Sequence, residues 1–150
     1  MSSVIEIRSA QRRDEKAWKA LWAEYNAFYG VDIPARVTNR SWTRILDKRS
    51  PVFCRVAVDD GAVLGFANAV LHEGTWATRP LCYLEDLYVA PAARKRGIAT
   101  ALIEDLIRLG RAKKWDRIYW HTQESNATAR RVYDGFVKAD GFVRYRLSLR

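Results

Sequence analysis

Tyr83-Leu84-Glu85-Asp86-Leu87-Tyr88-Val89, followed by Ala90-Pro91-Ala92-Ala93 and then Arg94-Lys95-Arg96-Gly97-Ile98-Ala99-Thr100, is the stretch that decides the fold. The first seven residues are apolar and aromatic enough to read as a strand. A proline-bearing loop ends it. A basic turn with one glycine then opens a segment in which Ile98, Ala101, Leu102, Leu106 and Leu109 recur at helical spacing, widened by Ile103 and Ile107. Strand, loop and helix start in that order build an anion site. The first amides of a helix have no partner within it, and the helix dipole favours negative charge there. Gly97 lets a ligand approach the backbone closely, and Ala99 is small enough to do the same. Arg94, Lys95 and Arg96 form the densest basic cluster in the chain. The anion that suits this arrangement is a pyrophosphate.

Working outward, Val4, Ile5 and Ile7 suggest a short first strand. Trp18, Leu21, Trp22, Tyr25, Phe28 and Tyr29 recur at helical spacing, with Asp14 as the N-cap and Gly30 as the stop. A second helix is expected over Val37 to Lys48, with Trp42, Ile45 and Leu46 inward. Phe53 to Val58 and Val63 to Leu71 are β-like runs, and Asp59-Asp60-Gly61 between them signals a hairpin. The central strand is expected over Cys82 to Val89, a further strand over Arg117 to Thr122, and a helix carrying Ala129, Val132, Tyr133 and Phe136. Alternation over Phe142 to Leu149 predicts a closing strand. The order βααβββαβαβ implies an α/β (α+β) domain with a mixed sheet and helices on both faces.

The chain has 150 residues, 49% of them hydrophobic, which suits one domain over residues 1–150 with its own core. No apolar run reaches membrane-spanning length, and Met1 to Gln11 lacks the apolar centre of a secretory leader. Cys54 and Cys82 sit in apolar surroundings and read as reduced core residues of a cytoplasmic protein. Lys and Arg number 26 against 17 Asp and Glu, a net charge of +9 that favours anionic partners. Nucleic acid is one such partner, yet the basic residues form no single stripe and no nucleic-acid motif is present. His72 and His121 lack partners at metal spacing, so no metal is expected.

Which pyrophosphate cradle this is follows from spacing. A Walker loop would need Gly-Lys-Ser/Thr, and a dinucleotide fingerprint three spaced glycines. Neither is present. Arg94-x-x-Gly97-x-Ala99 instead resembles the acetyl-CoA loop of the GNAT superfamily of N-acetyltransferases. Asn126 followed by Tyr133 is similar to that family's Asn…Tyr pair. Tyr119-Trp120-His121-Thr122-Gln123-Glu124-Ser125-Asn126, the Trp18…Trp22…Tyr25…Phe28-Tyr29 pattern and Thr75-Trp76 resemble the fungal histone/D-amino-acid acetyltransferase branch. Leu84 to Val89 is also similar to diamine acetyltransferases. The chain departs from the family in carrying Ala99 where a second glycine is frequent, and in lacking Tyr-x-x-x-Gly after Tyr133.

The resemblance implies a mostly antiparallel sheet and transfer of acetyl from acetyl-CoA to a primary amine by direct attack in a ternary complex, without a covalent enzyme intermediate. It implies cofactor contacts from the backbone of Leu87, Tyr88 and Val89, from Arg94, Lys95, Arg96, Gly97, Ile98, Ala99 and Thr100, and from Asn126 and Tyr133. Glu85 is the candidate general base, or else binds the substrate ammonium. An ordinary glutamate ionises near pKa ~4.3, so shielding would have to raise it for a base. Asp86 points to the opposite face in a regular strand, and a bulge would exchange that logic. Tyr133 is the candidate acid for the departing thiolate, its phenol protonated below pKa ~10. Asn126 either caps the last helix or binds the cofactor arm, and the two are compatible. Tyr29 and Asp32, after the first helix, are candidates to reach the acceptor.

Acidic Glu73, Glu85, Asp86 and Glu124 suit an amine, and the net positive charge repels a basic protein tail. Small amines, polyamines or amino acids are therefore favoured over lysine or N-terminal amines of proteins. A silent acyl-CoA sensor is the remaining alternative. The resemblance also implies a homodimer.

Overall fold

The computed structural model describes residues 4–150. Five strands form one sheet: β1 (Glu6–Ser9), β2 (Val52–Asp59), β3 (Ala62–Gly74), β4 (Ala77–Val89) and β5 (Arg117–Tyr119). Four helices accompany them: α1 (Glu15–Phe28), α2 (Ala35–Leu46), α3 (Ile98–Lys113) and α4 (Ala127–Asp134). The strands lie side by side in chain order. The first four pair antiparallel, while β4 and β5 run parallel. A parallel joint needs a long crossover, and α3 supplies it. The mixed, mostly antiparallel sheet expected from the sequence is the one observed. The chain falls into two compact units, one ending at Trp120 and the other His121–Arg150.

The β2–β3 hairpin turns where Asp-Gly signals it. Asp60 (φ 48°) and Gly61 (φ 80°) both adopt the left-handed backbone that such a turn requires. Trp18 and Leu21 of α1, Trp42 of α2, Cys54, Val56 and Val58 of β2, Phe66 of β3 and Tyr88 of β4 bury together on one face of the sheet. Trp18 is fully buried. Its ring lies 5.3 Å from that of Trp22 and 5.2 Å from that of Trp42. Ile98, Leu102, Ile103 and Leu106 bury the inner side of α3. That helix takes the other face, because Arg55 alternates with Cys54 and Val56 on β2 and reaches α3.

Several expectations shift. Asp14 immediately precedes α1 but gives it no side-chain cap. Its buried carboxylate instead accepts two bonds from Arg8, at 2.7 and 3.0 Å, and one from the Gln11 amide at 2.7 Å. The cation in β1 outcompetes the helix amides for that carboxylate. The first strand starts at Glu6, later than Val4. β4 begins five residues before Cys82, because Thr78, Arg79 and Pro80 are exposed edge positions that apolar patterning does not register. β5 stops at Tyr119 rather than Thr122.

The strand expected over Phe142 to Leu149 is absent. Residues 142–149 carry no regular structure, with Phe142, Tyr145, Leu147 and Leu149 between 84% and 94% exposed. Alternation alone does not make a strand. A strand forms only when a neighbour satisfies its backbone groups, and the five-stranded sheet does not include this segment.

Candidate active site

Strand, turn and helix start follow one another at this point as the sequence predicts. Lys95 (φ 65°) and Gly97 (φ 74°) take left-handed backbone on either side of Arg96 and turn the chain into α3. Buried Ile98 anchors the first turn of the helix, and the Ala101 amide closes that turn on the Gly97 carbonyl at 2.9 Å. A Cβ built on Gly97 meets nothing within 4 Å, so the space over the turn is open to a ligand. Arg94 folds back: its Nε donates to the Val89 carbonyl at 3.2 Å and its guanidinium lies 5.6 Å from the Tyr88 ring centre. Arg96 donates to Asp59 at 2.8 Å, tying the cradle to the β2–β3 turn. Lys95 is exposed; Ala99 and Thr100 are half-buried in the first turn of α3.

The strand leading into the cradle is partly released from the sheet. On its β5 side, β4 pairs only from Leu81 to Tyr83, opposite Arg117 to Tyr119. Residues Leu84 to Val89 continue without that neighbour, so the backbone of Leu87 to Val89 has a side available to an extended ligand. The Tyr88 side chain belongs to the core cluster, which leaves its backbone for such a contact.

On its other side β4 carries a bulge. Asn68 pairs with Asp86 while its neighbour Ala69 pairs with Leu84, so Glu85 is an extra residue. Leu84 and Asp86, two apart in sequence, therefore point to opposite faces. Glu85 is exposed. Asp86 turns inward, toward α1. Asn68 Nδ2 donates to Asp86 Oδ2 at 3.2 Å, and Trp18 Nε1 donates to Asn68 Oδ1 at 3.2 Å. Tyr25 also hydrogen-bonds the carboxylate. Burial pushes the Asp86 carboxyl up to about 6, aided by the charge of Glu85 and opposed by the bonds from Asn68 and Tyr25. Sequence reading singled out neither Asn68 nor the inward role of Asp86. The signal for Asn68 was an amide within the apolar run Phe66-Ala67-Asn68-Ala69-Val70.

Tyr29 and Asp32 follow α1 as expected, Tyr29 half-buried and Asp32 exposed. The Tyr29 ring lies edge-on to Tyr25 at 5.0 Å, which places it one ring outward from the aromatic that bonds Asp86. In the His121–Arg150 unit, Asn126 caps α4: its Oδ1 accepts from the Ala129 amide at 3.2 Å. Tyr133 lies two helical turns later on the same face of α4 as Asn126 and is half-buried. Among the described residues there is no cluster of three metal-ligating side chains and no helix long and apolar enough to cross a membrane. His72 is held instead by Tyr119, whose hydroxyl lies 2.6 Å from Nε2. Both cysteines are free and buried.

The fold is shared with known proteins. The acetyltransferase (GNAT) family model matches residues 15–136. The D-amino-acid N-acetyltransferase HPA3 of Saccharomyces cerevisiae is 30% identical over 131 residues, covering 86% of this chain and 81% of that protein. An aminoglycoside N(6')-acetyltransferase type 1 of Salmonella typhimurium is 30% identical over 96 residues, 61% of this chain and 66% of that one. Among solved structures, the aminoglycoside N-acetyltransferase AAC(6')-Iy in complex with CoA superposes with a TM-score of 0.82 at 24% identity, covering 98% of this chain and 97% of that one. This chain belongs to the GNAT acetyltransferase family. It is an acyltransferase by that membership, and CoA is the cofactor class its fold neighbours hold.

Proposed function

We propose that the protein transfers the acetyl group of acetyl-CoA to the primary amine of a small acceptor, with amino acids and polyamines favoured, by direct attack in a ternary complex. The observation that carries this is the open turn at Gly97 at the start of α3, reached by a strand whose edge is free beyond Tyr83. The turn suits the diphosphate of CoA, and the free edge suits its extended pantetheine arm. Leu87 to Val89 supply backbone, Arg94 to Thr100 the cradle, and Asn126 and Tyr133 the contacts carried by the last helix. Tyr133 is the proton donor to the leaving thiolate. Exposed Glu85 draws the acceptor's ammonium toward the strand, and Tyr29 and Asp32 meet its outer part.

A small acceptor is supported by the net charge of +9, which disfavours basic protein tails. Two relatives whose names specify D-amino acids and aminoglycosides support an amine acceptor as well. We further propose a homodimer in the cytoplasm. The exposed alternating apolar side chains of residues 142–149 supply an unpaired segment that a second copy can cover, and two free buried thiols suit a reducing compartment.

The test is turnover. Purified protein is incubated with acetyl-CoA and, separately, spermidine, L- and D-phenylalanine, L- and D-lysine, an aminoglycoside and a basic peptide, and acetylated products are separated by chromatography. Product from one of the small amines is expected. CoA binding with no product from any amine defeats the enzymatic reading in favour of a sensor, and product from the basic peptide alone defeats the small-acceptor reading.

A further inference from the structure

The bulge leaves two adjacent carboxylates in unlike settings. Glu85 is exposed, whereas Asp86 is half-buried and held at two points. The groups packed around Asp86 come from four elements. They are Asn68 on β3, Tyr25 and Trp18 on α1, Cys54 on β2, and Glu85 beside it on β4. Asn68 is itself fixed by Trp18, so the chain Trp18–Asn68–Asp86 sets the carboxylate's direction from the centre of the core. Such a group has what a proton acceptor at neutral pH needs: a fixed orientation and an ionisation near the working range. Glu85 has neither support. The rings of Tyr25 and Tyr29, 5.0 Å apart, continue outward from Asp86 along α1 and give an approaching amine an aromatic wall.

Resting on the acetyl-transfer reading above, we propose that Asp86 receives the proton of the acceptor's ammonium, with Asn68 as its positioning residue and Tyr25 and Tyr29 lining the approach. An N–H bond of the ammonium breaks and an O–H bond forms on Asp86. The neutral amine then attacks the thioester carbon, a C–N bond forms, the C–S bond breaks, and the electron pair leaves with sulfur. The attacking nitrogen loses a second proton, which ends on the CoA thiol. Asp86 returns its proton to water, so one acetyl-CoA and one ammonium give one amide, one thiol and one proton.

The prediction is a particular pH profile. An enzyme that takes the ammonium and deprotonates it with Asp86 has kcat/KM rising to a plateau near pH 6 and holding it up to the amine's own pKa. An enzyme that waits for free amine shows a ramp of about tenfold per pH unit up to that pKa, with no plateau. The experiment measures kcat/KM from pH 5 to 10 for whichever amine of the panel turns over. It does so for the wild type, Asp86→Asn, Asn68→Ala and Glu85→Gln, with CoA affinity followed by calorimetry throughout. The wild type is expected to show the plateau. Asp86→Asn is expected to lose about 100-fold or more and convert the plateau to a ramp, with CoA affinity kept within about threefold. In Asn68→Ala the lower limb moves up in pH, because a bond favouring the ionised form is gone. In Glu85→Gln it moves down, because a like charge is gone.

A plateau that survives Asp86→Asn, or that disappears in Glu85→Gln instead, overturns the inference while leaving acetyl transfer standing. Absence of turnover by the wild type on every amine removes both. If Asp86→Asn binds no CoA because it does not fold, the Asp86 carboxyl carbon is titrated by NMR in the wild type. A midpoint near 6 that falls when the amine is saturating supports the inference, and a midpoint indifferent to the amine overturns it.

Discussion

Arg55 on β2 and Asp105 on α3, fifty residues apart in sequence, meet in a two-point pairing, Nε to Oδ2 at 2.7 Å and the terminal nitrogen to Oδ1 at 3.0 Å. Asp105 also accepts from Arg108 at 2.6 Å, and Arg55 donates to Ser9 at 2.8 Å. The Arg55 and Asp105 side chains are 12% and 3% exposed, so neither has bulk water to fall back on. Removing the carboxylate strands a buried cation. Asp105→Ala is expected to lower stability by about 3 kcal/mol, and the Arg55→Met, Asp105→Leu pair to recover most of it. Urea denaturation of the single and double variants measures both. A double variant as weak as Asp105→Ala would show that the pair does more than neutralise itself.

Stability should respond to pH through two aspartates of opposite sign. The bond from Arg8 holds Asp14 below its ordinary range, against the opposing effect of burial. Its stabilisation is present above the unfolded value near 3.8 and is lost as the pH falls through the lower folded value. Asp86 behaves the other way. With its carboxyl raised to about 6, its contribution is full below 3.8 and lost as the pH rises through 6. Asp86→Asn is therefore expected to raise Tm at pH 8, by on the order of 1–3 kcal/mol in stability, while leaving it nearly unchanged at pH 4. Asp14→Asn is expected to lower Tm at pH 7 and to matter less toward pH 3. Thermal melts across pH check both, and a destabilised Asp86→Asn at pH 8 would contradict the second.

The cradle makes a separable claim about Gly97. Its φ of 74° disfavours any side chain, and its open space is where the proposed diphosphate approaches. Gly97→Ala is expected to cost about 1 kcal/mol in stability from backbone strain. It should weaken CoA binding by more than tenfold, out of proportion to that loss. Calorimetric titration with CoA beside a denaturation curve separates the two effects, and equal losses in both would point to strain alone.

Cys54 and Cys82 should be silent in the folded protein. Burial raises both thiols, Cys82 to about 12 and Cys54 further. Neither presents a thiolate at neutral pH. A thiol reagent at pH 8 is expected to label neither within the time that labels both in denaturant, as counted by mass spectrometry. Fast labelling of either native thiol would show local opening of the sheet.

Element type and order were legible from the sequence because the decisive patterns are local. Asp60-Gly61 requires a tight turn, and the apolar stripe from Ile98 to Leu109 fits only a helix. The junction from β4 through Gly97 into α3 was legible for the same reason: strand, turn and helix start are contiguous. What eluded sequence reading depends on partners distant in the chain. Asp14 resembles a cap until Arg8 is beside it. Phe142 to Leu149 alternates like a strand but has no partner in the sheet. Glu85 outranks Asp86 in a regular strand, and only the register against β3 reveals the extra residue. That register cannot be read from β4 alone, because it depends on which residue Asn68 faces.

The extra residue in β4 acts as a change of phase. Before it, even-numbered positions such as Cys82 and Leu84 serve the layer beneath α3. After it, even-numbered Asp86 and Tyr88 serve the layer beneath α1. One continuous strand thus belongs to two cores in succession, and the crossing point coincides with the acidic pair. Were Glu85 paired in the ladder rather than left out of it, every later side chain up to Val89 would invert, driving Leu87 into the aromatic cluster and Asp86 out of it, whereas its deletion would close the bulge and keep their faces. The pairing of this strand, residue by residue, is therefore as much a part of the site as the identity of its side chains.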